Sequence, residues 1–249
     1  MVSTFLEDSL RMWFQWDRQV KYLERNGLVG GLAQFFLMFN IILQVGCSLL
    51  AIIRLRRVPA SYLTIPAVLG LTLVLLSQMV AYRLFFDPQF LVVFLSLIGG
   101  FLILITGALE DQEKARKAKV SEPLRAFSDT LERSTTYMLL LGRILLLGLY
   151  FNFAFDFKGD MGTFRLVTAF LGLGLCLFIV VGFRAKESAA ILLVFLLALN
   201  VVTKNWWENN SSRNDFVKYE FFQVISVAGG YLLLSFMGPG KISIDKKKE

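Results

Sequence analysis

Seven stretches of this chain, at 28–53, 59–82, 89–109, 137–155, 166–183, 188–203 and 221–237, run on apolar residues with Arg143 as their sole charge. A stretch of that kind has few folding options. In hydrocarbon no water satisfies a backbone amide, so each must close its own hydrogen bonds as a helix. At 1.5 Å per residue each stretch is close to the length needed to cross a ~30 Å apolar layer, the sixth barely so. The expected fold is therefore all-α and polytopic, with seven to eight transmembrane helices. The eighth is the stretch "VSTFLEDSLRMWFQW" near the N-terminus, which reads as a shortened helix. It holds Glu7, Asp8 and Arg11, so it is not a cleavable signal peptide.

Composition agrees and removes several functions. The chain is 56% hydrophobic and 18% charged, against about 25% charged for a soluble domain. It has no histidine, which removes histidine-ligated haem and most zinc or copper sites. Its two cysteines, Cys47 and Cys176, lie inside apolar runs and read as buried small residues. There is no phosphate-binding glycine loop, no nucleophile elbow and no C-x-x-C motif. The chain reads as no enzyme, with no metal or other cofactor and no nucleic-acid partner.

Orientation follows from lysine and arginine. With the C-terminus in the cytosol, the cytosolic segments 54–58, 110–136, 184–187 and the tail carry fifteen basic residues. The opposite loops, 17–27, 83–89, 156–165 and 204–219, carry nine. That bias favours a cytosolic tail. Trp13, Trp16, Trp206 and Trp207 then fall on the far side with Tyr82, Tyr150 and Tyr219. They form either an aromatic belt at the headgroups or the wall of a lumenal cleft. The overlapping sequons at Asn209 and Asn210 are on that side too, as N-glycosylation requires.

The chain also repeats itself. "FLSLIGGFLIL" at 94–104 matches "VISVAGGYLLL" at 224–234, pairing Ser96 with Ser226, Gly99 with Gly229 and Gly100 with Gly230. Cys47 and Cys176 match at nearly the same offset. Two four-helix units in tandem, both of the same orientation, account for this. The expected division is a first repeat at 1–109, a cytosolic connector with some helix at 110–136, a second repeat at 137–240 and a tail at 241–249. The small residues are the physical part of the match, because they let helix backbones approach closely.

Few residues remain for function. Glu7, Asp8 and Arg11 share one helix face at i, i+4 and i, i+3 spacing. Charges inside a membrane either pair or line a wet cavity. Arg143 has the same two readings, or snorkels to the cytosolic interface. Asp215, Tyr219 and Glu220 lie in the same lumenal layer as the tryptophans. An acidic, aromatic cleft there suits a peptide with a positive amino terminus.

"STFLEDSLRMWFQW" at 3–16, "KYEFFQVISVAGG" at 218–230 and "MGPGKISIDKKKE" at 237–249 closely resemble the surfeit-locus cargo receptors of the endoplasmic reticulum, a eukaryotic branch of the DoxX-like membrane proteins. The resemblance implies a further N-terminal extension before the first motif, whereas Met1 here stands inside the first helix. The resemblance implies a multi-pass protein of the endoplasmic reticulum membrane that cycles through the intermediate compartment and the Golgi. It implies loading of soluble secretory cargo, recognised by amino-terminal segments, into COPII vesicles. It also implies return through a dilysine tail read by the COPI coat, with Lys246 and Lys247 at the fourth and third positions from the end. Cargo contact would fall to Glu7, Asp8, Arg11, Asp215, Tyr219 and Glu220. The alternatives are a small-molecule or lipid transporter, which parallel repeats and intramembrane charges also suit, and a redox subunit, which the missing histidines disfavour. The sequence leaves the oligomeric state open.

Overall fold

The computed structural model describes residues 1–28, 30–52, 60–117, 125–155, 162–207, 214–238, 240 and 242–244. Within these the chain is helical: α1 (Ser3–Phe14), α2 (Trp16–Arg25), α3 (Gly31–Ile52), α4 (Ala60–Ala81), α5 (Pro88–Lys117), α6 (Arg125–Phe155), α7 (Gly162–Val181), α8 (Ala185–Thr203) and α9 (Asn214–Met237). A 3-10 turn, Leu84–Phe86, links α4 to α5. Five helical segments among the described residues are long and apolar enough to span a membrane: Gly31–Ile52, Tyr62–Ala81, Phe90–Asp111, Ala185–Thr203 and Val217–Met237. Ser134–Gly148 and Val167–Val181 are shorter apolar stretches. The protein is a polytopic α-helical membrane protein.

The breaks between helices have local causes. Arg83, after α4, and Arg184, before α8, take left-handed backbone conformations that end one helix direction and start another. α5 opens with Pro88 at its first position, where the missing amide donor costs nothing. The outward faces stay apolar, as with Phe35, Phe39 and Ile42 on α3 and Phe170 and Leu177 on α7, all exposed. A surface of that kind is stable against lipid tails, which are as apolar as leucine.

Packing has a simple plan. α5 and α9 stand against each other in the middle of the bundle. On one side α1, α3 and α4 form a ring with them; on the other α6, α7 and α8 do the same. Glycines set the closest approaches. A Cβ on Gly99 would lie 2.8 Å from the Gly142 carbonyl oxygen, so α5 and α6 nearly touch. A Cβ on Gly230 would lie 3.3 Å from Gly100 Cα, so α5 and α9 do as well.

Two expectations change. The segment 17–27, expected as a loop, is largely helix α2. Its Val20 and Leu23 are buried in a small apolar cluster with Met12, Ala33 and Leu37, while Asp17, Arg18, Lys21, Glu24 and Arg25 are exposed. Two apolar anchors three residues apart suffice to hold so short a helix to α3. Tyr150, expected at the headgroup layer, is 1% exposed and donates its hydroxyl hydrogen to the carbonyl of Thr168 over Gly172. The connector 110–136, expected to hold some helix, has helix at both ends, as α5 continues to Lys117 and α6 starts at Arg125. Asn209, Asn210, Lys246 and Lys247 lie outside the described residues.

Candidate functional site: a polar cluster around Asp8

Asp8 is 3% exposed and is the hub of a polar cluster. Its Oδ2 accepts hydrogen bonds from Gln44 Nε2 of α3 at 2.9 Å and Gln78 Nε2 of α4 at 2.7 Å. Its Oδ1 pairs with Arg11 Nη2, one turn along α1. A carboxylate this deep costs several kcal/mol in desolvation unless charge and hydrogen bonds offset it. Here one cation and two amide donors do so.

Arg11 continues the cluster toward α9. Its guanidinium lies 4.8 Å from the centre of the Tyr219 ring, a cation–π contact. One turn further along, Gln15 Nε2 donates to Asp215 Oδ2 at 2.7 Å, and Arg18 Nη1 lies 3.4 Å from the same oxygen. Beside them Tyr82 donates to Gln19 Oε1 at 2.8 Å and stacks on Tyr22. These groups mark one end of the bundle, where α4 finishes and α9 begins. They line the ring of α1, α3, α4 and α9.

Glu7 is the exception. It is 6% exposed, yet its Oε2 has no hydrogen-bond partner among the described residues. Gln44 Oε1 and Arg11 Nε are unpartnered as well. The cluster thus holds two spare acceptors beside one spare donor. Leaving such groups buried and unmatched costs about 1–3 kcal/mol each. A ligand cation with several N–H groups matches the spare acceptors.

α1 is held in this position at its other end. Ser226 Oγ on α9 lies 2.9 Å from Ser3 Oγ and accepts the Thr4 amide at 2.9 Å. The register of α1 against α9 therefore sets where Asp8 and Arg11 stand.

Five of the six expected site residues come together: Glu7, Asp8, Arg11, Asp215 and Tyr219. Glu220 faces elsewhere, toward α8, where it pairs with Lys204 Nζ at 2.5 Å. Nearby, Lys218 Nζ lies 5.4 Å from the Trp206 ring centre, and Trp207 packs edge-on against Phe221. The sequence reading missed Gln15, Gln44 and Gln78. Glutamine has no charge and so does not stand out as a charged group in an apolar run does. Gln44 and Gln78 were nevertheless visible as amides within apolar runs, where a lone polar side chain asks for a partner.

The SURF4 family model matches this chain over residues 1–249. The chain belongs to the SURF4 family. Its relatives there include a surfeit locus protein 4 homolog of Drosophila melanogaster, 32% identical over all of this chain and 87% of the relative. One from Schizosaccharomyces pombe is 31% identical over all of this chain and 79% of the relative. The ER-derived vesicles protein ERV29 of Saccharomyces cerevisiae is 30% identical over all of this chain and 74% of the relative. No significant match to a solved structure was found. The Asp8 cluster is thus a feature of a SURF4-family member that aligns over its own whole length with 74–87% of these relatives.

Proposed function

We propose that the chain is a cargo receptor of the endoplasmic reticulum membrane that loads soluble secretory proteins into COPII vesicles and returns from the Golgi through its dilysine tail. Membership of a family that includes an ER-derived vesicles protein supports the compartment. The observation that carries the binding role is the unmatched Glu7 carboxylate next to Asp8, in the cluster whose Arg11 stacks on the Tyr219 ring. Spare acceptors suit the ammonium of a processed amino terminus. Glu7 Oε2 and Gln44 Oε1, the two spare acceptors, would take its N–H groups. With no histidine in the chain, release in a later compartment falls to these carboxylates, to calcium or to the cargo.

The architecture we infer is two parallel four-helix units, 1–109 and 137–240. The meeting of Gly100 with Gly230, repeat partners in the sequence, supports a pseudo-two-fold axis between α5 and α9.

Quantitative comparison of secreted proteins with and without this chain tests the receptor role. A defined subset retained in the endoplasmic reticulum, with bulk secretion unchanged, is the expected outcome. Unchanged or uniformly reduced secretion would overturn it, and flux of small solutes or lipid through the reconstituted protein would then be measured.

A further inference from the structure

At the end of the bundle away from Asp8, the chain beyond α9 folds back onto the helices. Gly238 and Gly240 have φ of +84° and +74°, conformations that side-chain-bearing residues avoid. They turn the chain so that Gly240 lies against Leu139 of α6 and Gly238 against Lys186 of α8. Ser243 then seats on Gly182, just past α7, and is 8% exposed. A Cβ on Gly182 would collide with the Ser243 Cβ.

The last turn of α7 explains what holds this segment. The final carbonyls of a helix have no partner within it. Phe178 O accepts the amides of Gly182 and Phe183, at 2.9 and 3.0 Å. Val181 O accepts the Ile244 amide at 3.4 Å. Ile179 O accepts Arg143 Nη1 at 3.3 Å. Arg143 is 0% exposed, and its Nη2 donates to Ile242 O at 3.0 Å. One guanidinium therefore bridges the end of α7 and the returning segment. A cation belongs at a helix C-terminus, where the carbonyl dipoles point. Among the described residues, what this buried charge meets is main-chain carbonyls.

We propose that Arg143 is the positioning residue of the C-terminal signal: it clasps residues 242–244 to α7 and so sets how far the tail lysines reach from the bundle. The consequence rests on the reading of Lys246 and Lys247 as a retrieval signal. With Ile244 held, Lys246 is two residues from the anchor and reaches ~7 Å at most. With the clasp open and Gly240 still against Leu139, Lys246 is six residues from the last contact and reaches ~20 Å at most. An open clasp makes the lysines easier for a coat to capture.

The test uses the full chain in membranes whose cytosolic face is exposed. Ser243→Cys reports the clasp, through its rate of labelling by a membrane-impermeant maleimide. Ser188→Cys, in the first turn of α8 and 4% exposed, reports the fold at the same end. Arg143→Gln opens the clasp directly. Gly182→Ala opens it with Arg143 intact, by crowding Ser243. We expect at least ten-fold faster labelling at position 243 in both variants, unchanged labelling at 188, and several-fold greater coat recovery on the chain. Equal labelling at 243, or parallel increases at 243 and 188, overturns the clasp. Faster labelling at 243 with no gain in coat recovery overturns its role in setting reach. If Lys246→Ser with Lys247→Ser leaves coat recovery on the unaltered clasp unchanged, the retrieval reading fails instead, and the labelling result stands.

Discussion

Gly100 of α5 and Gly230 of α9 meet at the centre of the bundle: a side chain begun on Gly230 would reach 3.3 Å from Gly100 Cα and 2.8 Å from Leu146 Cδ2. The two central helices approach this closely because neither has a Cβ at the contact. In a lipid environment such packing, rather than expulsion of water, holds helices together.

That relation predicts a graded response to added methyl groups. Gly99→Ala places a Cβ 2.8 Å from a backbone oxygen of α6, which has nowhere to move. Gly46 of α3 has nothing within 4 Å of the same position. We expect Gly99→Ala to destabilise the detergent-solubilised protein by about 1–3 kcal/mol, through overpacking. Gly46→Ala should be neutral or slightly stabilising, as alanine favours a helix over glycine. Thermal unfolding of the two variants, followed by tryptophan fluorescence, compares them.

Asp8→Ala leaves Arg11 without its carboxylate and two buried glutamine amides without their acceptor. A cost of about 3 kcal/mol is expected, at the low end for a broken buried pair because the Arg11 side chain is 25% exposed. Adding Gln78→Leu to Asp8→Ala should cost less than Gln78→Leu costs in the parent, since the amide has already lost its acceptor. Additive effects in this cycle would show that Gln78 and Asp8 do not interact.

Glu7 distinguishes a binding role from a structural one. Among the described residues its Oε2 accepts no hydrogen bond, so Glu7→Gln should leave the melting temperature nearly unaltered. In cells lacking the parent chain, the same variant should fail to restore secretion of receptor-dependent cargo. Binding of a peptide with a free amino terminus should weaken about ten-fold, or ~1.4 kcal/mol. An amino-acetylated peptide should bind equally weakly to both forms. Normal secretion with Glu7→Gln would remove Glu7 from the cargo site.

Retrieval is tested by location. Lys246→Ser with Lys247→Ser should move the protein from the endoplasmic reticulum to later membranes, seen by fractionation or imaging. Adding Arg143→Gln should not bring it back, because the clasp acts only through the lysines. A double-lysine variant that keeps its steady-state distribution would end the retrieval claim.

Features set at short range are legible in the amino-acid sequence. α3, α4, α8 and α9 lie close to their apolar runs because backbone in hydrocarbon has no alternative to helix. The Asp8–Arg11 pair follows from helical spacing within a single element. Helix α2 escapes such a reading because ten polar-rich residues with two apolar anchors look like a loop until α3 supplies the surface they bury against.

Sequence alone thus determined that this is a helical membrane protein and where its long apolar runs lie. Those properties depend on local hydrophobicity and a fixed rise per residue. Tertiary structure decided the rest: that Gln44 and Gln78, 36 and 70 residues from Asp8, converge on it; that Glu220 turns away from the cluster; and that Arg143 grips the chain 99 residues later at Ile242. The physical reason is that a buried charge must find partners, but the sequence names the need and not the partner. Which helix supplies it depends on how the bundle packs, and so on contacts such as the one between Gly100 and Gly230.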